Sequence, residues 1–530
     1  MNPNLTDINA AAQPIPKLSD IQGLILRGYN LPFVRYIIFT INNVDGARRF
    51  CKDILPGSSA SMHVTTALPW HNGIKPDYCL NVGFTASGLE KMITKTNFNK
   101  VSAWSLDFFS AFKAGAIKTA ERLGDIGESA PDQWWKDDGW IPEDTDPAPD
   151  GSDLHIQLTL FAHDTQSLDT YYNALLGMVP EDADGKALSA VFLKDSEPLS
   201  QGDDYIHFGY KDSFSQPRLT DVPWNTTKGR LRAGKSTVDD RPVVPMNQFV
   251  IGITKVSVDP QPLRYNPHPL LENGSFAAFR LLYQDVAAFN KYINSAKDGT
   301  PPDLVAAKMC GRWFDGTPLI VSPDKPNPNL KDFDYTNFNY ITPTANQRGE
   351  PKPKSDDLGQ LCPYAAHIRR ANPRDDEKVK GNSGPAADAK TRRIMRRAGP
   401  YGPDYRDDEV AKKDGGVEIK RGLVGLFICA NLTQQFIFIM DSWINHGGFR
   451  SADKSPNGSG VDPLFGPSKN DYAPNNEFDY LPDGPTDQPY KRMPGLERFI
   501  RTDGSLFLFL PGIKAIEDIS NGIIPTKPQT

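Results

Sequence analysis

The order of the predicted secondary-structure elements indicates an α+β fold with antiparallel sheets and peripheral helices. The first half of the chain gives strand, helix, strand and then strand, helix, strand again, and the second half gives a similar order. Such an order is typical of ferredoxin-like domains, in which helices cover one face of a sheet. A chain of 530 residues also exceeds the size that one hydrophobic core usually fills. We therefore expect two ferredoxin-like domains.

The predicted domain boundaries follow changes in composition. Residues 1–19 are polar and are expected to form a flexible arm. The stretch 220–240 is polar and basic, as is common for a segment between domains. The N-terminal domain is therefore expected at residues 20–230 and the C-terminal domain at residues 231–530.

The elements of the first half are predicted from side-chain patterns. Runs rich in β-branched and aromatic residues predict strands, and apolar residues at helical spacing predict helices. Thr85 and Asp164 are expected to cap helices, because their side-chain oxygens can accept hydrogen bonds from free backbone N–H groups. The predicted strands are 34–42, 79–84, 153–162, 190–194 and 204–209, and the predicted helices are 44–55, 86–92 and 165–176.

The second half gives further strands and helices, separated by longer polar segments. Two stretches rich in Pro, Asn, Asp and Gly, 322–359 and 447–486, are predicted to be long loops. The predicted strands are 248–253, 276–282, 423–429 and 506–510, and the predicted helices are 284–296, 302–313, 432–445 and 513–519.

The composition argues against several classes of protein. The formal net charge of −6 is small for this length, whereas a nucleic-acid-binding protein requires a basic face. No run of 18 apolar residues occurs, so no membrane span is predicted. The polar N-terminus lacks the apolar core of a signal peptide, which predicts either a cytoplasmic protein or a mature secreted form. The five cysteines include no Cys-x-x-Cys pair, so a zinc ribbon is not expected.

One histidine lies between a small apolar run and a basic run in the segment 361–374. Apolar residues beside His367 could pack on a porphyrin, and the arginines could pair with its propionates, as expected around an axial ligand of haem iron. Taken alone, such a histidine is more often a hydrogen-bonded core or surface residue.

The segment 361–374 resembles the proximal-histidine segment of the dye-decolourising peroxidases. Four further segments resemble the same family in the same order, namely 20–23, 209–212, 308–313 and 392–397. The resemblance implies a haem peroxidase with long loops like those of fungal members, and haem b (iron protoporphyrin IX) bound mainly by the C-terminal domain. It also implies that hydrogen peroxide oxidises bulky organic reductants such as dyes and phenolics, by one-electron steps through a ferryl intermediate.

The resemblance assigns one group of residues to the ligand side of the haem. His367 is the expected iron ligand. Asp462 is the expected partner of its other ring nitrogen, which would raise the basicity of the imidazole; an ordinary Asp-Pro turn is an equally good interpretation. Arg374 and Arg369 are weaker candidates for pairing with the propionates.

A second group is assigned to the side where peroxide would react. Asp212 is the expected acid–base group and Arg396, 29 residues after His367, the expected cation. Ser213 departs from the glycine that the family has after the Asp, which puts the local loop geometry in question. Leu426 and Phe427 are expected to line this pocket, or else to be plain core. An aspartate has a reference pKa of about 3.9, so activity is expected to persist at acidic pH.

Bulky reductants would not enter such a pocket, so the resemblance implies long-range electron transfer through surface aromatics. Tyr401 and Trp443 match positions of that kind, although most such residues serve packing. The resemblance also favours an extracellular location and leaves a homodimer open.

Other functions stay open on the residues alone. Leu361-Cys362-Pro363 is similar to the Cys-Pro ligand segment of haem-thiolate peroxidases and peroxygenases, so Cys362 competes with His367 as ligand. A non-enzymatic haem-binding protein would need neither Asp212 nor Arg396. A serine or zinc hydrolase is disfavoured, because no Gly-x-Ser-x-Gly or His-Glu-x-x-His sequence occurs.

Overall fold

The computed structural model describes most of the chain. The described residues are 17–70, 73–136, 151–212, 214–219, 243–253, 267–330, 335–342, 355–376, 391–449, 460–465, 476–482 and 490–526. The arm expected at 1–19 and the boundary expected near residue 230 fall largely or wholly outside these residues, so the domain limits stay predictions.

The centre of the molecule is a sheet of eight antiparallel strands, which confirms the predicted fold class. The strands are β1 (Phe33–Ile41), β2 (Tyr78–Phe84), β3 (Ile156–Ala162), β4 (Leu188–Ser196), β5 (Ser275–Gln284), β6 (Met395–Tyr401), β7 (Gly422–Cys429) and β8 (Ile500–Leu510).

The order of the strands across the sheet separates the two halves of the chain. It runs β6-β7-β5-β8-β2-β3-β1-β4, so four strands of the C-terminal half lie beside four strands of the N-terminal half. The halves meet at β8 and β2, where Phe509 pairs with Phe84. At the other end, the backbone N–H of Glu197 after β4 donates to the carbonyl of Pro400 in β6 at 3.1 Å. The sheet therefore closes on itself as an α+β barrel.

Helices cover the barrel. They are α1 (Gly23–Leu26), α2 (Val44–Asp53), α3 (Ala86–Ile93), α4 (Lys95–Trp104), α5 (Leu106–Thr119), α6 (Thr165–Gly177), α7 (Val286–Ile293), α8 (Pro302–Cys310), α9 (His367–Ala371) and α10 (Ile513–Ser520). The predicted caps are confirmed, since Thr85 accepts from Gly88 N and Asp164 accepts from Ser167 N.

Shorter elements fill the connections. Two-stranded ribbons pair Glu181–Asp182 with Gly185–Lys186 and Glu477–Tyr480 with Lys491–Pro494, and Arg218–Leu219 lies parallel to Val243–Val244. The 3₁₀ turns are Leu18–Asp20, Gly127–Ser129, Pro131–Gln133, Met246–Gln248, Pro269–Leu271 and Lys412–Asp414.

Some predicted elements are wrong. Residues 204–209 form turns rather than a strand, and Gly209 has φ 84°, which an extended strand does not allow. Residues 248–253 continue a 3₁₀ turn, Met246–Gln248, instead of forming a strand. The helix predicted at 432–445 is π-helical over Thr433–Ile437 and Ile439–Ile444.

The segment 20–23 has a structural role at the seam between the halves. The buried Gln22 side chain donates from Nε2 to the carbonyls of Val82 at 2.8 Å and Pro511 at 2.9 Å. Its Oε1 accepts from the backbone N–H of Val82 at 2.9 Å. Val82 lies in β2 and Pro511 follows β8, so one amide completes the hydrogen bonding where the two halves of the sheet meet.

Candidate active site

His367 is the first residue of α9 and is held by a buried carboxylate. Its Nδ1 donates to Asp462 Oδ2 at 2.6 Å, while Asp462 is 0% exposed. Asp462 Oδ1 also accepts from the backbone N–H of Leu464 at 2.9 Å. Asp462 therefore closes a local turn and fixes the imidazole at the same time, so both interpretations from the sequence describe part of its role. The hydrogen bond at Nδ1 leaves Nε2 as the nitrogen able to bind a metal ion.

The charges around His367 act on it in opposing directions. Burial lowers its pKa, but the Asp462 carboxylate raises it by charge and hydrogen bond, and the net pKa lies above the usual value. Arg396 lowers the pKa and Asp212 raises it to smaller extents, so both residues lie within electrostatic reach of the imidazole. The ring of Phe465 stacks on the imidazole with centroids 6.1 Å apart. The sequence-predicted ligand, its partner and the predicted acid–base pair are thus in one region.

Asp212 and Arg396 form an ion pair at the accessible side of this region. Arg396 Nη2 lies 3.1 Å from Asp212 Oδ1, and the two side chains are 36% and 40% exposed. Arg396 Nη2 also donates to the carbonyl of Phe214 at 3.0 Å. The backbone N–H of Asp212 donates to the carbonyl of Asp204 at 2.6 Å, which ties the end of this turn to its start. Ser213 lies outside the described residues, so its departure from the family pattern stays an open point.

Neighbouring strands decide which apolar residues share the face of Arg396. In the antiparallel pair β6–β7, Arg396 lies opposite Phe427 and Arg397 lies opposite Leu426. Residues directly opposite each other project to the same face of a sheet. Phe427 is therefore on the face of Arg396, whereas Leu426 is on the other face and is 0% exposed in the main core.

Three further arginines gather around the loop that follows Asp212. Arg312 Nη2 donates to Ser215 Oγ at 3.0 Å, and Arg374 Nη2 lies 3.4 Å from the same oxygen. Arg393 Nη2 donates to the carbonyl of Ser215 at 3.4 Å. Ser215 itself has φ 61°, a left-handed conformation. We call Arg312, Arg374 and Arg393 the arginine cluster.

Carboxylates of the described residues balance the charge of the arginine cluster only in part, through Asp212 near Arg312 and Asp375 near Arg374. Burial is the largest cause that lowers the pKa of each guanidinium, a neighbouring arginine also lowers it in each case, and the resulting pKa of each is about 10. No carboxylate of the described residues forms a salt bridge with any of the three. Buried cations are stable when an anion pairs with them, so the cluster fits a ligand with acidic groups, such as the two propionates of haem.

Arg369 differs from the cluster, although the sequence made it a weaker propionate candidate. It is 0% exposed and pairs with Asp356 at 2.8 Å and Asp376 at 3.3 Å. Its guanidinium also donates to the carbonyl of Cys362 at 2.7 Å. These partners commit Arg369 to bracing the loop before His367.

Tyr401 and Trp443 are not surface residues, which corrects that part of the prediction. Tyr401 is 2% exposed and Trp443 is 1% exposed, so neither ring can touch a bulky reductant. Tyr401 ends β6, and the Lys194 ammonium lies 5.0 Å from its ring centroid. Trp443 packs edge-to-face on Phe438 in the π-helical region. Any part in electron transfer would be that of an internal relay.

Cys362 is poorly suited to bind iron. Its side chain is 0% exposed, and burial raises the pKa of the thiol to about 12. The thiolate that a metal ligand requires is therefore disfavoured, whereas His367 is partly exposed and already oriented.

Sequence reasoning assigned no role to Arg312, Arg393 or Ser215. Arg312 and Arg393 lie in the segments 308–313 and 392–397, so the family resemblance carried a signal for them. The sequence gave no signal for Ser215, because its role as a shared acceptor depends on the loop conformation that brings it into contact with three arginines. In the described part of the chain, no helix is long and apolar enough to cross a bilayer.

Known proteins match both the sequence and the fold. Residues 20–178 match the family model of the DyP dimeric alpha+beta barrel domain. Peroxidase 2 of Mycetinis scorodonius is 26% identical over 520 residues, which cover 96% of this chain and 88% of that protein. The dye-decolorizing peroxidase AauDyP1 of Auricularia auricula-judae is 27% identical over 510 residues, which cover 94% and 86%.

Solved structures agree with these relatives. An ancestral D-type dye decolorizing peroxidase superposes with a TM-score of 0.69 at 25% identity and covers 95% of this chain and 99% of its own. A dye-decolorizing peroxidase in complex with 2,6-dimethoxyphenol gives a TM-score of 0.70 at 23% identity and covers 96% and 100%. The fold is therefore that of a peroxidase built on an α+β barrel. More specifically, residues 20–178 match the dye-decolourising peroxidase family model, and the chain is similar over nearly its whole length to fungal members of that family.

Proposed function

We propose that the protein is a haem peroxidase that uses hydrogen peroxide to oxidise bulky organic reductants, such as dyes and phenolics, one electron at a time. One observation carries this proposal. A carboxylate-held imidazole and a half-exposed carboxylate–guanidinium pair lie within electrostatic reach of each other. Peroxidase chemistry needs both, an axial ligand on one side and a proton-transfer group with a cation on the other.

The cofactor is haem, and we propose the b form, which is held without covalent attachment. His367 would bind the iron through Nε2, with Asp462 increasing the electron density on the ring. The arginine cluster would pair with the propionates. When bound, the haem iron supplies the site where the peroxide O–O bond is broken and the oxidising equivalents are stored.

Asp212 and Arg396 would handle the proton and the charge. The Asp212 carboxylate accepts the proton of the bound peroxide and returns it to the departing oxygen. The Arg396 guanidinium stabilises the negative charge that develops as the two oxygens separate. Their mutual contact at 3.1 Å holds both groups in place before peroxide arrives. Their partial exposure gives a molecule as small as peroxide a route to them.

We also propose that the enzyme acts outside the cell, as the resemblance to fungal members suggests. A homodimer is compatible with the proposal. A haem-thiolate enzyme with Cys362 as ligand is less well supported, because the thiol is buried and held protonated. A non-enzymatic haem-binding protein would leave the Asp212–Arg396 pair without a purpose.

The test is an absorption spectrum of the purified holoprotein, before and after one equivalent of hydrogen peroxide. A Soret band that shifts with peroxide and returns when a phenol or dye is added would support the proposal. A protein that carries haem but shows no shift would instead favour haem binding without catalysis. A protein that takes up no haem would contradict both.

A further inference from the structure

Two adjacent buried arginines follow His367 in α9 and contact different parts of the chain. Arg369 contacts the preceding loop, through Asp356 and the carbonyl of Cys362. Arg370 contacts segments that come later in the sequence. It donates to the carbonyls of Ile444 at 3.3 Å and His446 at 3.0 Å, and to those of Trp443 and Gly460.

The carbonyls bound by Arg370 belong to the two segments that place Asp462. Trp443 and Ile444 end the π-helical region, and His446 follows it by two residues. Gly460 lies two residues before Asp462. The backbone N–H of Asp462 also donates to the Ile444 carbonyl at 3.2 Å, so Asp462 and Arg370 share an acceptor. One guanidinium therefore links α9, the end of the π-helical region and the loop that carries Asp462.

Burying the Arg370 guanidinium costs free energy of desolvation, which its hydrogen bonds must offset. The side chain is 0% exposed, and burial lowers its pKa to about 9, with the charge of Asp462 opposing this in part. Carbonyls at the end of a helix lack intrahelical partners and carry partial negative charge. A fork of N–H donors satisfies several of them from one point, which an apolar side chain would not do.

We infer that Arg370 is a positioning residue for the His367–Asp462 pair. It fixes the Asp462 loop against the helix of His367, so that the carboxylate stays at hydrogen-bond distance from Nδ1. Through this contact Arg370 sets how strongly the imidazole donates electrons to the iron. The inference rests on the proposed haem function, and it assigns Arg370 no contact with haem or peroxide.

The test uses the holoprotein with Arg370→Met, Arg370→Lys, Asp462→Asn and the double variant Arg370→Met/Asp462→Asn. The measurements are the iron–imidazole stretching frequency, by resonance Raman spectroscopy of the ferrous form, and the midpoint potential of the iron. We expect Arg370→Met to shift both in the direction of Asp462→Asn, since a released carboxylate weakens imidazole donation. The double variant should shift no further than Asp462→Asn, because both changes remove one interaction. Arg370→Lys should restore part of the effect.

A matched control separates positioning from general destabilisation. Arg421 is also buried, and its Nη1 lies 2.6 Å from Glu409 Oε2. Its hydrogen bonds go to Glu409 and Asp404, and not to the segments that hold Asp462. Arg421→Met should lower the unfolding temperature without moving the stretching frequency or the potential.

Additive shifts in the double variant, or wild-type values in both Arg370 variants, would overturn the inference and leave Arg370 with a structural role alone. If Arg370→Met fails to retain haem, Arg370→Lys and its double with Asp462→Asn decide the question by the same criteria. A wild-type protein without an iron–imidazole band would instead refute the proposed function, and this inference with it.

Discussion

The two sides of the proposed haem site differ in how firmly the structure holds them. On the ligand side, Asp462 is 0% exposed and accepts the His367 hydrogen bond at 2.6 Å. On the other side, Asp212 and Arg396 are 40% and 36% exposed, and they follow a turn and lie on a strand, respectively. The comparison shows that the ligand is held by buried hydrogen bonds, whereas the proton-transfer pair is held by contacts that are partly exposed, among them the ion pair and the hydrogen bond from Arg396 to the Phe214 carbonyl.

The largest expected effect comes from removing the ligand. His367→Ala should abolish haem retention, because it removes the proposed iron ligand while burial keeps the rival Cys362 thiol protonated. The ratio of Soret to protein absorbance after purification with added haemin measures this. His163 is exposed and lies in the N-terminal half of the chain, so His163→Ala is the control and should retain haem. Full retention in His367→Ala would show that another residue binds the iron.

The next effect concerns the cation. Arg396→Leu should slow the reaction with peroxide by about 10²–10³-fold, the usual loss when one donor to a developing anion is removed. Haem content should stay near wild type, since Arg396 is not part of the arginine cluster. Stopped-flow mixing with peroxide gives the second-order rate constant. An equal loss of haem and rate would mean that Arg396 acts mainly in cofactor binding.

The arginine cluster gives a smaller effect on affinity. Arg312→Met and Arg393→Met should each raise the rate of haem dissociation by about 10- to 100-fold, since a charged hydrogen bond contributes about 1.5–3 kcal/mol. Haem dimethyl ester, whose propionates are neutral, supplies the control. With the ester, wild type and variants should dissociate at similar rates. A variant that still differs with the ester would place the effect outside propionate binding.

Two structural histidines contrast with His367 and give the smallest effect. Burial lowers the pKa of His155 and of His207 to about 4. His155 accepts from Ile41 N at 2.9 Å and His207 donates to the Tyr401 carbonyl at 2.8 Å, so both rings are neutral in the fold. The unfolded chain protonates first, at its usual pKa of about 6.5.

The contribution of each neutral histidine to the free energy of unfolding should therefore be fully present above that pH. It should fall as the pH drops towards 4, by up to about 3 kcal/mol per histidine. Urea unfolding of His207→Gln at pH 7 and pH 4.5 checks this. The variant should lose less stability between the two values than wild type. An unchanged pH slope would show that His207 is not a source of acid sensitivity.

Most of the barrel could be predicted from sequence, because its strands are apolar runs between turns. The prediction covers seven of the eight strands, although it begins β8 at residue 506 instead of Ile500. Strand β6 was not predicted, since Arg396, Arg397, Gly399 and Pro400 give it no alternating pattern. Its pairing is supplied by β7, which is information that lies in the tertiary structure and not in the local sequence.

The site was predictable to the extent that resemblance fixed it. His367, Asp462, Asp212 and Arg396 come together in the structure although they span 251 positions from the first to the last. Their order in the chain says nothing of that proximity. The burial of Tyr401 and Trp443 could not be read from sequence, because an aromatic residue in a Gly-Pro-Tyr-Gly or an Asp-Ser-Trp segment can face either the core or solvent. Arg374 was a propionate candidate from the sequence, but its grouping with Arg312 and Arg393 around Ser215 is seen only in the structure.

The most direct test of the proposed proton transfer is the rate of peroxide reaction in Asp212→Asn, measured at equal haem content. We expect wild-type haem binding and an unchanged iron–imidazole band, with a rate constant lower by about 10²–10⁴-fold, because asparagine keeps the shape of the side chain but cannot take up the proton. A rate constant equal to that of wild type would contradict the proposal, since proton transfer would then not depend on the Asp212 carboxylate.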